Sequence, residues 1–176
     1  MDGSPTTIVG PMPEGDTLFR TATVLREVLL GKDVRAARGR PDGVALGRAV
    51  GSRVERVDAV GKHLLIGFSN DLSLHTHLRM NGSWHRYRSG ERWCRSPARA
   101  VAVIEVLDAV AVCFDAPTVE LLDSRALALH PALTALGPDL LEPEPDLQEV
   151  VRRLGSMSRR EMPLARHCWT RRPWPD

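Results

Sequence analysis

The 176-residue chain holds only three cysteines, Cys94, Cys113 and Cys168, an odd number at wide spacing with no Cys-x-x-Cys pair. That argues against a disulfide framework and a zinc ribbon, and makes a reducing cytoplasm the simplest home. The chain has no apolar run near the length of a membrane span, and its first residues lack the basic start and apolar centre of a secretory signal, so no membrane partner is expected. Net charge is also scarce. The 24 Lys+Arg against 22 Asp+Glu leave +2, so any site for a polyanion must be local. What the chain does have is a 43% hydrophobic fraction, enough at this length for one good core with a small second lobe.

The first residues, Met1 to Pro11, contain Gly, Ser, Pro and Thr with little to bury, and read as a disordered arm or as sequence upstream of the true start. From Asp16 to Leu30, Leu18, Ala22, Leu25 and Leu29 recur at helical spacing; Asp16 or Thr17 can cap the start and Gly31 can end the helix. Short apolar runs broken by turn residues then predict strands at 54–60, 63–68, 72–80, 100–107, 110–114 and 119–122. In the third of these, Leu72, Leu74, Thr76, Leu78 and Met80 alternate with Ser73, His75, His77 and Arg79, the pattern of a half-buried sheet with one polar face. Strands without long intervening helices suggest an antiparallel sandwich or flattened barrel with the first helix packed against it.

Beyond Leu136 the composition turns to Gly137-Pro138-Asp139, a proline-rich stretch from Glu142 to Pro145, and a helical segment from Asp146 to Leu154. The expected organisation is an extension over 1–12, a β-sandwich domain over 13–135, the start of a helical lobe over 136–158 and a tail without apolar periodicity over 159–176. An incomplete second lobe would leave Leu140, Leu141, Val150, Val151 and Leu154 in need of cover.

Chemistry could reside at several points. If Met12 were removed, Pro13 would become a terminal secondary amine beside the carboxyl of Glu14; a terminal amine has a reference pKa of roughly 8, against above 10 for lysine, and so is partly unprotonated near neutrality. As an internal residue Pro13 has an amide nitrogen that cannot attack an aldehydic carbon. The bland alternative makes Pro13 a helix-start residue and Glu14 a first-turn carboxylate favoured by the helix dipole. Lys62, just after Gly61 at the start of a strand, can hold a phosphate or donate a proton, or can be a solvated edge residue that discourages strand association. His75 and His77 share a strand face at a spacing compatible with a metal, but no carboxylate or cysteine in the sequence completes a site, so no metal is expected. A phosphate contact with added charge from Arg79 fits the same face better. Met80, before Asn81-Gly82, is either a wedge that enters a base stack or core filling.

In order, Met12-Pro13-Glu14-Gly15-Asp16, then Gly61-Lys62-His63-Leu64-Leu65, then His75-Thr76-His77-Leu78-Arg79-Met80-Asn81-Gly82-Ser83-Trp84 resemble the formamidopyrimidine-DNA glycosylase and endonuclease VIII family, most closely its actinobacterial endonuclease VIII-like branch. The resemblance runs from Met12 to about Leu154. It implies a bifunctional DNA glycosylase and AP lyase of base excision repair that removes oxidised bases, chiefly pyrimidines, and nicks the strand by β- and δ-elimination. On that resemblance Pro13 is the Schiff-base nucleophile, Glu14 the acid/base, Lys62 an aid to elimination and a phosphate ligand, His77 a backbone contact and Met80 the filler of the gap left by the everted nucleotide.

The partner implied is damaged DNA, and the chain is expected to act as a monomer. The family's second domain and zinc finger are not recognisable after Leu154, so no cofactor is expected. The family's wedge-completing arginine and phenylalanine are not evident in Asp115-Ala116-Pro117-Thr118. A second expectation, from another class, is a noncatalytic remnant that binds DNA weakly, and a third is an unrelated sandwich module for protein or sugar.

Overall fold

The computed structural model describes residues 14–40, 43–138, 144 and 146–155. The arm before Met12, Pro13, Leu140, Leu141, Cys168 and the tail from Arg159 lie outside the described residues.

The chain opens with helix α1, Glu14–Leu29. It begins two residues earlier than its apolar spacing suggests, so Asp16 lies inside the first turn rather than at the cap; acidic residue types are favoured there by the unpaired N–H groups. Leu18, Ala22, Leu25 and Leu29 all lie buried along one face, as their spacing requires. Burying each leucine stabilises the fold by about 1.5–3 kcal/mol before entropic costs. Gly31 ends the helix with φ +74°, a conformation open to glycine without Cβ strain, and its N–H donates to Val54 O at 2.8 Å.

Eight strands follow: β1 Ala36–Gly39, β2 Val54–Val60, β3 His63–Phe68, β4 Leu72–His77, β5 Ser83–Arg88, β6 Ala100–Glu105, β7 Ala109–Phe114 and β8 Thr118–Asp123. They form two four-stranded sheets, in the orders β1-β6-β7-β5 and β2-β3-β4-β8, with every neighbour antiparallel. The two sheets and α1 enclose one core, the antiparallel sandwich with a packed helix expected from the sequence. Trp84 of β5, fully buried, donates from Nε1 to Thr76 Oγ1 of β4 at 3.2 Å and so ties one sheet to the other.

Two strands escape a reading of periodicity. β1 is four residues of Ala, Arg and Gly, and β5 alternates Trp84, Arg86 and Arg88 with Ser83, His85 and Tyr87, so neither shows an apolar run. The expected β4 is also shorter, ending at His77 because the chain turns at Leu78–Gly82. Its two faces are both buried, which corrects the half-buried pattern: His75 is only 1% exposed and Ser73 is buried too. Imidazoles can be buried in this way once hydrogen-bonded.

The outer face of β1-β6-β7-β5 carries a second apolar cluster of Tyr87, Val103, Val110, Val112 and Phe114, against which Trp93 packs. Arg95 and Arg99 pin the segment holding Trp93 by converging on Asp115 at 3.0 and 2.7 Å.

The described residues divide at Leu127/Ala128 into two compact units. The second contains α3, Pro131–Thr134, and α4, Leu147–Leu154; α2, Ser124–Ala128, leads out of β8. Asp146 caps α4, its Oδ1 accepting from the Glu149 N–H at 2.9 Å. Val151 is exposed on α4. Among the described residues no helix is long and apolar enough to cross a membrane. The described cysteines Cys94 and Cys113 are free thiols; burial pushes the Cys113 thiol far up, so it stays protonated.

Candidate DNA-contacting site

The residues singled out by sequence gather at one end of the β2-β3-β4-β8 sheet. β2 and β3 are joined by the two-residue turn Gly61-Lys62, closed by the pair Val60 and His63. Gly61 takes φ +59°, the left-handed conformation that such a tight hairpin needs at this position. Lys62 is thereby fixed, half-buried, at the tip of the hairpin. In the neighbouring strand His77 pairs directly with His63, and His77 is followed by Arg79 and Met80. β8 starts at the same end, with Thr118 opposite His77.

Helix α1 runs antiparallel to β2, since Arg26 bonds to Val57 O and Gly31 to Val54 O. Its first residue, Glu14, is therefore carried toward the end of the sheet that holds Lys62. Pro13 lies outside the described residues, so the amine expected there has no position to report.

The Leu78–Gly82 turn decides how Met80 is presented. Gly82 N–H donates to Leu78 O at 2.8 Å, and a Cβ on Gly82 would stand 2.5 Å from that same oxygen, so only glycine closes the turn unstrained. Arg79 adopts φ +48°. Leu78 is buried, whereas Met80 is 84% exposed at the tip. Core filling is thus excluded for Met80: its side chain projects into solvent, the placement a wedge needs.

His77 is partly buried, and its Nδ1 has no hydrogen-bond partner among the described residues. Burial first, then the charges of Arg79 and His75, lower its pKa below the ordinary histidine range. A neutral ring with an unused ring nitrogen can donate to or accept from a backbone oxygen without carrying its own charge into the site.

The sequence reading missed the carboxylate of this site. Glu120 of β8 lies opposite His75, and its Oε2 sits 2.7 Å from His75 Nδ1. His75 Nε2 in turn lies 2.7 Å from His63 Nδ1. The carboxylate absent from the neighbourhood of His75 in sequence thus arrives from 45 residues away. The ring of His63 also meets His77 edge-on, with centroids 4.8 Å apart.

The Asp115–Thr118 segment carries no arginine or phenylalanine of its own, but Asp115 takes φ +54° and accepts from both Arg95 and Arg99. These guanidiniums hold its carboxyl below the usual carboxylate range.

Comparison with known proteins converges on this half of the molecule. Residues 12–128 match the family described as the formamidopyrimidine-DNA glycosylase N-terminal domain, beginning at the Met12 of Met-Pro-Glu-Gly-Asp. A probable endonuclease 8 of Streptomyces coelicolor is 38% identical over 136 residues, covering 77% of this chain and 49% of that protein. A DNA-(apurinic or apyrimidinic site) lyase of Mycolicibacterium smegmatis is 39% identical over 133 residues, covering 76% and 50%. The chain therefore spans about half the length of these curated relatives. Among solved structures, Lactococcus lactis Fpg in complex with DNA containing an abasic site has the same fold, with TM-score 0.59 and 19% identity over 74% of this chain and 50% of that one. With its sequence matched across two thirds of its length and its sandwich reproduced, the chain belongs to the formamidopyrimidine-DNA glycosylase family.

Proposed function

We propose that the chain supplies the catalytic half of a bifunctional DNA glycosylase and AP lyase of base excision repair, acting on oxidised bases with pyrimidines preferred. The observation that carries this reading is the convergence of Lys62, His77 and the projecting Met80 on one sheet end, toward which α1 directs Glu14.

In the reaction, Met80 enters the stack and occupies the place of an everted nucleotide, because the sugar carbon cannot be reached inside duplex DNA. The Pro13 nitrogen, freed as a terminal amine, forms a bond to C1′ of the deoxyribose. The glycosidic bond breaks, and the base departs with a proton supplied through Glu14. The nitrogen lone pair then opens the sugar ring: the C1′–O4′ bond breaks, O4′ takes a proton through Glu14, and the resulting iminium acts as an electron sink, so that loss of a C2′ proton expels the 3′ phosphate and a second elimination expels the 5′ phosphate. Lys62 and His77 hold the phosphates during these steps, with Arg79 adding charge.

Borohydride reduction tests the covalent step. Protein begun at Pro13 is expected to be trapped on DNA carrying an abasic site, and protein retaining Met1–Met12 is expected not to be. No adduct from either form overturns the enzymatic reading in favour of a weakly binding remnant. Preference is read from cleavage of oxidised pyrimidines against oxidised purines; faster release of the purine contradicts the substrate assignment.

A further inference from the structure

The outer face of the β1-β6-β7-β5 sheet carries, beside its apolar cluster, a basic groove between β1 and the 91–99 segment. Two adjoining cavities of ≈ 510 and ≈ 310 Å³ share Arg38, Trp93 and Pro97 as walls. Arg40, Arg92 and Arg95 line one or the other, against a single acid, Glu91, which accepts from the Arg88 N–H at 2.8 Å. Arg95 is engaged by Asp115, whereas Arg38, Arg40 and Arg92 make no ion pair among the described residues. In a chain whose net charge is only +2, three uncompensated guanidiniums along one groove are a local excess that attracts a polyanion.

Packing sets Arg38 in place. It lies opposite Val103 in the β1–β6 ladder and so stands on the outer face, with its Cζ over the Trp93 ring, 5.5 Å from the centroid. Trp93 is itself fixed by Tyr87 and Phe114, at centroid distances of 6.1 and 5.9 Å. A guanidinium held over an indole keeps its N–H donors at its rim, where they match the paired oxygens of a phosphate.

The strand registers put this groove at the end of the sandwich that carries Met80. β5 begins directly after the Leu78–Gly82 turn; Ser83 pairs with Phe114, Phe114 with Ala100, and Gly39 of β1 with Ala102. Arg38 and Arg40 flank Gly39 and share that end. Three strand spacings separate β5 from β1, about 15 Å. Along a duplex that distance is about four base pairs.

We infer that Arg38, Arg40 and Arg92 form a second phosphate-binding groove, which holds the DNA backbone about four base pairs from the nucleotide displaced by Met80. A continuous backbone fits because it reaches from the turn to β1 and offers a phosphate to each guanidinium. The position relative to Met80 rests on the function proposed above; the charge of the groove does not.

The salt dependence of DNA binding by the full chain tests the groove, with undamaged duplex and duplex holding a non-reactive abasic analogue as probes. Arg38, Arg40 and Arg92 are all exposed, so exchanging them leaves the core intact. Arg38→Gln, Arg40→Gln and Arg92→Gln combined should weaken binding of both duplexes on the order of a hundredfold at about 0.1 M salt, and lower the salt slope by about two to three. Arg35→Gln removes an exposed charge at the opposite end of β1 and should leave the slope unchanged.

An unchanged slope in the triple variant, with tighter binding of the abasic analogue retained, overturns the groove and leaves the functional reading standing. A slope lowered as expected, in protein begun at Pro13 that borohydride never traps on abasic DNA, overturns that reading and keeps the groove. An equal fall per charge in Arg35→Gln reveals a diffuse charge effect and overturns the groove, and a loss confined to RNA of the same sequence overturns DNA as its occupant. No DNA binding by the wild type overturns both.

Discussion

The two sheets present outer faces built on the same alternation but filled differently. On β1-β6-β7-β5 the outward positions are Tyr87, Val103, Val110, Val112 and Phe114, sealed by Trp93 from a segment clamped to Asp115. On β2-β3-β4-β8 they include His63, His75, His77 and Glu120, of which Glu120, His75 and His63 are hydrogen-bonded in series across the strands. The first face gains stability from apolar burial, which needs shape and little direction. The second needs fixed geometry, because a buried polar group left without its partner costs about 1–3 kcal/mol. Apolar packing and hydrogen-bonded polar groups are thus divided between the two outer faces of one sandwich.

Substitutions can break that division. The largest effect is expected from Phe114→Ala, which empties a fully buried site on the apolar face. Thermal or denaturant unfolding should show a loss of about 3–5 kcal/mol, with the histidine titrations of the other sheet unchanged below the transition. Shifted titrations would show that the two faces are coupled. Next, Gly82→Ala forces a Cβ to within 2.5 Å of Leu78 O and should cost about 1–3 kcal/mol, while displacing Met80 and lowering lesion binding. Loss of stability without loss of binding would separate Met80 from the turn that carries it.

Acid should act on the apolar face through Asp115. Its folded pKa is held down, first by the hydrogen bond from Arg99, so its contribution is fully present above the ordinary carboxylate range near 4. It is lost as pH falls through the depressed folded value. Asp115→Asn should therefore lower stability at neutral pH and flatten the acid limb of the stability curve; an unchanged acid limb contradicts the clamp. The smallest effect on stability belongs to Met80→Ala, within about 0.5 kcal/mol because the side chain is exposed. Binding to lesion-bearing duplex should nonetheless weaken measurably, and equal binding would remove Met80 from the site.

What the sequence disclosed follows the same line. The buried stripe of α1 and the runs that became β2, β3 and β7 were legible because apolar periodicity is local and records burial directly. Lys62, His77, Arg79 and Met80 were legible as candidates because short motifs carry them, although only the Leu78–Gly82 turn decides that Met80 projects. β5 was hidden because its outward positions are Ser83, His85 and Tyr87 and its other side ends in Arg86 and Arg88. Glu120 was hidden for a different reason. Its pairing with His75 is set by the β4–β8 register, which brings together residues that no local pattern links.

The central claim is that a terminal proline nitrogen attacks the sugar at the sheet end that carries Lys62. Peptide mapping by mass spectrometry of the borohydride-trapped adduct, formed by protein begun at Pro13 on abasic DNA, tests it most directly. The account predicts a reduced sugar attached to the Pro13 nitrogen. An adduct on Lys62 with Pro13 unmodified would contradict it.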